Sequence, residues 1–252
     1  MDVIVRALAA QHRELDELLL GLVDADWQRP SRCPGWTVCD VVLHLAQTDE
    51  LVLASGDGRF ADLIASFTDG GVGGLRDVDE AAALAVARER GPAGLAVFTR
   101  WRAAAAATRT LLAGCDPRRR LPWMLGALPA RTLATTRLAE TWIHTGDVTA
   151  ALGRDLPATE RLWHVARLAW RTLPYAFRRS GQALHGPVAV ELIGADGSIW
   201  DFGRDTAPLT IVRGPALDFC LVGARRLDPA ESSLVAEGPD AEAVLALLRT
   251  YA

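Results

Sequence analysis

Apolar residues recur at helical spacing through the first two-thirds of the chain. Ile4, Leu8, Leu15, Leu18, Leu19 and Leu22 form one stripe between Asp2 and Val23, with Arg13, Glu14 and Glu17 opposite, the signature of an amphipathic helix. A loop with Pro30, Pro34 and Gly35 follows over Trp27–Trp36. Thr37 then stands as an N-cap with Asp40 at the reciprocal position of a capping box, opening a helix to about Ala54 whose Val38, Val41, Val42, Leu45 and Val52 face a core. Further helices are predicted over Asp79–Arg90, Ala93–Leu112, Thr132–Leu152 and Thr159–Phe177, broken at Gly91-Pro92, Leu121-Pro122-Trp123 and Gly153. The glycine-rich stretch Asp69–Gly74 reads as a flexible loop; no strand precedes it and no Gly-Lys-Ser/Thr follows, so its match to a phosphate cradle is weak.

After Gly186-Pro187 the period changes. Val188, Val190 and Leu192 alternate with small or polar residues, and Asp196-Gly197 turns the chain into Ile199–Phe202, a hairpin signal. A third strand over Leu209–Val212, a helix from Pro215 to Val222, a short strand at Leu234–Ala236 and a closing helix from Asp240 to Tyr251 complete the pattern. The expectation is a mainly α protein: a helical domain over 1–182 and a small α+β domain over 183–252.

The composition is that of an ordinary globular protein: 252 residues, 50% apolar and 23% charged, with a formal net charge of -4. The charge argues against a generic nucleic-acid partner. No apolar run approaches the length of a membrane span, and Met1–Arg6 lacks the pattern of a signal peptide. All 27 basic residues other than histidine are arginine, so lysine chemistry is excluded. Four scattered cysteines, Cys33, Cys39, Cys115 and Cys220, make neither a disulfide framework nor a thiolate zinc motif. A reduced cytoplasm is the expected location.

The residues that bear on chemistry lie on two of the predicted helices. Glu140 and His144 are four apart and point the same way, with Asp147 one turn further on the same stripe. His44, at the edge of the apolar face of its helix, is the best third ligand. Two histidines and a glutamate with an open position are a known catalytic zinc arrangement, and facing helices of a bundle are a recurrent place to build one. Taken alone, an E-x-x-x-H pair is more often a surface pair, and a lone inward histidine more often a core residue. Asp147 reads either as a partner of a ligand, as a base, or as a fourth ligand closing a structural site. Arg137 reads either as an anchor for a substrate carboxylate or as a salt-bridge partner of Glu140 or Asp147. Trp36, Trp123 and Trp142 line a pocket or fill the core. Cys33 has no base paired with it and reads as structural, while His12, His164 and His185 lack partner spacing.

The run Cys33-Pro34-Gly35-Trp36-Thr37-Val38-Cys39-Asp40-Val41-Val42-Leu43-His44-Leu45-Ala46 and the run Arg137–Val148 resemble the signature of the mycothiol-dependent maleylpyruvate isomerase family, DinB-like four-helix-bundle proteins. Gly214–Cys220 and the strands before it are similar to the small C-terminal domain of a subgroup. The resemblance covers nearly the whole chain and implies a DinB-like four-helix bundle with a divalent metal, zinc first among the candidates, on His44, Glu140 and His144. It also implies mycothiol or a similar low-molecular-weight thiol as co-reactant and a small electrophilic metabolite as substrate, handled by S-transfer or isomerisation. The alternatives are a thiol-independent hydrolase, cyclase or lyase of secondary metabolism, and a non-enzymatic metal- or ligand-binding protein.

Overall fold

A computed structural model describes residues 1–68 and 78–250. Among these lie ten α-helices and six short strands, in two compact units, Met1–Leu156 and Pro157–Ala252. The glycine-rich loop expected over Asp69–Gly74 falls outside the described residues.

The first unit is a four-helix bundle. Its long members are α1 (Asp2–Leu20), α3 (Val38–Gly56), α6 (Gly94–Gly114) and α7 (Ala130–Ala151); a single turn, α2 (Asp24–Trp27), and two shorter helices, α4 (Phe60–Thr68) and α5 (Val78–Glu89), intervene. Helix α3 packs on both α6 and α7, and α1 packs on α7 and α6, so the ring order is α1–α6–α3–α7. Helix α1 buries one stripe, through Ile4, Leu8, Leu15 and Leu19, as its period predicts. Helices α3 and α7 are buried on most of their circumference, so polar groups on them are sealed from water and must find partners inside the bundle. Gly94 opens α6 directly beneath the Trp27 ring, where a Cβ would collide with it.

Helix α4 was not anticipated from the periodicity. Its Ile64 and Phe67 form a satellite cluster with Leu51 and Ala85, flanked by Phe60 and Trp123. The expected loop at Leu121–Trp123 lies in the connection between two paired two-residue strands, β1 (Arg120–Leu121) and β2 (Leu128–Pro129), too short to leave a period in the sequence.

The second unit carries a four-stranded sheet in the order β4-β3-β5-β6. Strands β3 (Val188–Ile193) and β4 (Ile199–Phe202) form the expected antiparallel hairpin, turning at Gly197 with φ +82°. Strand β5 (Thr210–Pro215) runs parallel to β3, and β6 (Val235–Glu237) antiparallel to β5. Helices α8 (Leu162–Arg179), α9 (Ala216–Gly223) and α10 (Ala241–Leu247) cover it; the last is shorter than the helix expected to Tyr251.

The division between units comes earlier than the composition shift near Gln182, because α8 packs with the C-terminal elements. Trp170 on α8 donates its Nε1–H to the Val188 carbonyl at 2.8 Å and stacks on Phe202, and α8 packs against α9. Being helical, α8 reads in sequence like the bundle before it, and only its partners reveal its side.

Candidate metal centre

The approach to α3 is a hydrogen-bonded loop. Pro34 and Gly35 occupy the middle of a turn closed by Trp36 N–H donating to the Cys33 carbonyl at 3.0 Å, with Gly35 at φ +76°, the position where a type II turn needs glycine. Ser31 N–H donates to the Trp36 carbonyl at 2.9 Å. The capping box then forms as the sequence predicts: Asp40 Oδ2 accepts from Thr37 N–H at 2.8 Å, and Thr37 Oγ1 accepts from Asp40 N–H at 3.3 Å. Arg90 holds both parts, donating to Asp40 Oδ1 at 2.9 Å and to the Gly35 carbonyl at 3.1 Å. Cys33 and Trp36 are thereby fixed beside the first turns of α3, and the Trp36 ring lies 5.2 Å from the ring of His44.

His44 faces Glu140 and His144 across the bundle. Its Nε2 is 3.5 Å from Glu140 Oε1, and His144 Nε2 is 3.7 Å from the same oxygen. The two imidazoles are near perpendicular with centroids 5.0 Å apart. A ligand atom of each of the three residues lies within 4.8 Å of the others, so the group can hold a metal ion. These separations exceed ordinary N–H···O distances. They approach the roughly 3.3 Å edge of a tetrahedron whose metal–ligand bonds are about 2.0 Å.

Asp147, fully buried, accepts from His144 Nδ1–H at 2.9 Å. That bond fixes the ring and turns Nε2 toward Glu140, the usual support for a metal-binding histidine. Burial alone would raise Glu140, but the facing imidazoles of His144 and His44 hold its carboxyl well below the usual range. Burial also opposes charge on His144, yet its bonds to Asp147, Cys33 and Glu140 raise it well above an ordinary histidine. For His44 burial prevails, and the imidazole is pulled down. The donor set therefore offers one anionic oxygen and two ring nitrogens, a set that suits zinc and other divalent transition metals.

Arg137 does not bridge to Glu140 or Asp147. Buried to 1% exposure, it pairs with the fully buried Asp49 of α3, Nε to Oδ1 at 3.1 Å, one turn along α7 from Glu140. Asp49 was not singled out from the sequence, because a lone aspartate in an apolar helix face carries no motif. Cys33, expected to be structural and without a base, instead lies at the site. Its Sγ donates to Asp147 Oδ2 at 3.3 Å and is 3.9 Å from His144 Nδ1. The intervening loop hides that proximity in the sequence. Trp142 is buried, and Trp123 packs on Phe60.

The other histidines do have partners. His12 is buried, 2.7 Å from an Arg109 guanidinium nitrogen and 3.4 Å from Thr141 Oγ1. His185 sits 2.7 Å from Asp240 in the second unit, and His164 packs edge-on against Trp163.

Residues 8–149 match the profile of the mycothiol maleylpyruvate isomerase N-terminal domain. The chain belongs to that family. Two uncharacterised proteins of Mycobacterium tuberculosis, from strains CDC 1551 and H37Rv, are each 34% identical to it, over 98% of this chain and 95% of theirs. Among solved structures, the crystal structure of a mycothiol-dependent maleylpyruvate isomerase has a TM-score of 0.62 at 14% identity, over 95% of both chains. A histidine-to-alanine mutant of that enzyme has a TM-score of 0.61 at 13% identity, over 94% of this chain and 95% of the other. The structural likeness extends the fold beyond the profile, into the small C-terminal α+β unit. Among the described residues, no helix of this family member is long and apolar enough to cross a membrane.

Proposed function

We propose that this protein is a metal-dependent enzyme that uses a low-molecular-weight thiol of the mycothiol kind to transfer sulfur to, or isomerise, a small electrophilic metabolite. The observation that carries this reading is the convergence of His44, Glu140 and His144 at coordination-edge distances inside a bundle of that family. A divalent ion bound there supplies Lewis acidity, which lowers the pKa of a bound thiol or water. Asp147 keeps His144 in one tautomer and one orientation. Glu140 stays ionised. The Trp36 ring beside His44 offers an apolar wall for a substrate.

In the isomerase version, the thiol sulfur adds to the β-carbon of an unsaturated carbonyl and its proton goes to the α-carbon. The former double bond rotates as a single bond, and elimination returns the thiol and its proton. In the transferase version, sulfur stays bonded to the electrophile and the thiol is consumed.

The test has two stages. Elemental analysis of untagged protein is expected to find near-stoichiometric metal in the wild type and none in His44→Ala or Glu140→Ala. Turnover of an unsaturated keto acid such as maleylpyruvate, or of a simple thiol acceptor, is then measured with and without mycothiol, and thiol dependence is expected. Metal-dependent hydrolysis, cyclisation or elimination without thiol would replace the thiol reading. Metal without any turnover would favour a binding protein.

A further inference from the structure

Three atoms on the Nδ1 side of His144 form a second donor set, distinct from the atoms that would hold the ion of the proposed centre. Cys33 Sγ is 3.3 Å from Asp147 Oδ2 and 3.9 Å from His144 Nδ1, and those two are 2.9 Å apart. A ligand atom of each lies within 4.8 Å of the others. With metal–sulfur bonds of about 2.3 Å and metal–nitrogen or –oxygen bonds of about 2.0 Å, the edges of a coordination polyhedron come to roughly 3.3–3.6 Å, the range these separations bracket. His144 and Asp147 are buried and Cys33 half-buried, and the Cys33–Trp36 turn fixes the backbone that carries the sulfur.

We propose that Cys33, His144 and Asp147 form a second, sulfur-containing cation seat selective for thiophilic ions, alternative to the His44–Glu140–His144 seat. Thiolate ligands select soft cations, whereas the first set, with only nitrogen and oxygen, does not. Binding a dication M²⁺ exchanges both the Cys33 S–H and the His144 Nδ1–H for bonds to the metal: the thiol proton leaves to solvent, and the ring proton moves to Nε2 or, from a charged ring, leaves as well. A neutral imidazole has a single lone pair, so His144 serves either seat and the chain holds one ion at a time. The Cys33 seat thus gives a thiophilic cation a direct way to displace the ion of the first. It rests on the proposed function only for the identity of that displaced ion.

Cadmium is the probe, titrated into metal-free full-length protein. Wild type and His44→Ala are expected to develop sulfur-to-cadmium charge-transfer absorption saturating at one equivalent, and Cys33→Ser to lack it. Cys33→Ser should still take up one equivalent of zinc, which shows it folded, and cadmium should expel zinc one for one from zinc-loaded wild type. Absorption missing from the wild type, or equal in Cys33→Ser and so owed to other cysteines, would overturn the seat. Cadmium and zinc held together would overturn its exclusivity. Zinc retained by His44→Ala and lost when Cys33→Ser is added would place that ion in the Cys33 seat, whereas zinc retained by the double variant would overturn it.

Discussion

Two buried polar clusters occupy neighbouring levels of the same bundle, and they are built differently. In one, His44, Glu140 and His144 face one another at 3.5 and 3.7 Å, too far apart for strong hydrogen bonds and about right for sharing an ion. In the other, one turn along α7, contacts are at hydrogen-bond length: Arg137 to Asp49 at 3.1 Å and Arg109 to His12 at 2.7 Å, with Asp49 Oδ2 and one Arg137 guanidinium nitrogen left without a partner. Both draw on α3 and α7. The difference lies in what each would lose when a residue is removed. The open cluster loses a ligand, whereas the closed one leaves a stranded charge.

The contrast predicts a dissociation between metal and stability. His44→Ala should remove the bound metal and the thiol-dependent activity while leaving the stability of the metal-free protein nearly unchanged. A His44→Ala protein that keeps its metal would erase the distinction. Arg137→Met or Asp49→Leu should do the reverse, costing about 3–5 kcal/mol by leaving an unpaired charge in the core. The double variant should recover most of that loss, since well-packed apolar replacements of a buried pair are often neutral. Urea denaturation of the four proteins closes the cycle. Additive losses in the double variant would mean that the pair is not one unit.

Asp147→Asn probes the support of the open cluster. It keeps the shape but removes the anionic acceptor of His144 Nδ1–H, and losing such a partner typically weakens metal binding about 10–100-fold. Competition with a chelator measures this directly. An unchanged affinity would show that packing alone orients His144.

The open cluster was partly legible in the sequence and the closed one was not. Ligands four apart on a helix and a histidine behind a recognisable Pro-Gly turn leave a local pattern. Arg137 and Asp49 pair across 88 positions, and nothing local says that an arginine next to a ligand helix turn looks sideways rather than toward the site. The same applies to Cys33, 114 positions from Asp147. Elements with a strong period and a cap, such as the helix opened by Thr37, appear where expected. Helix α4 was missed for want of a polar boundary, and α8 was grouped with the bundle because its period says helix without saying which partner.

The smallest expected effect separates the clusters by pH. Arg109 donates to His12 Nδ1, so that nitrogen must be an acceptor and the ring neutral, with Nε2–H toward Thr141. Burial and the nearby charges of Arg109 and Arg137 hold the His12 pKa well below its usual value. A base whose folded pKa is depressed costs stability once the unfolded chain takes up a proton. Stability should therefore fall as pH drops below about 6.5, by at most about 1.4 kcal/mol per pH unit for this one group. His44, also lowered, adds to the same slope. His144 has the opposite sign: its raised pKa contributes stability below about 6.5 that is lost as pH rises through the folded value. In the metal-free protein, His12→Gln should flatten the acid side of a stability–pH curve and His144→Gln the side above neutrality. Saturating zinc should abolish the His144 contribution and leave that of His12, because only the open cluster has anything to exchange for the proton.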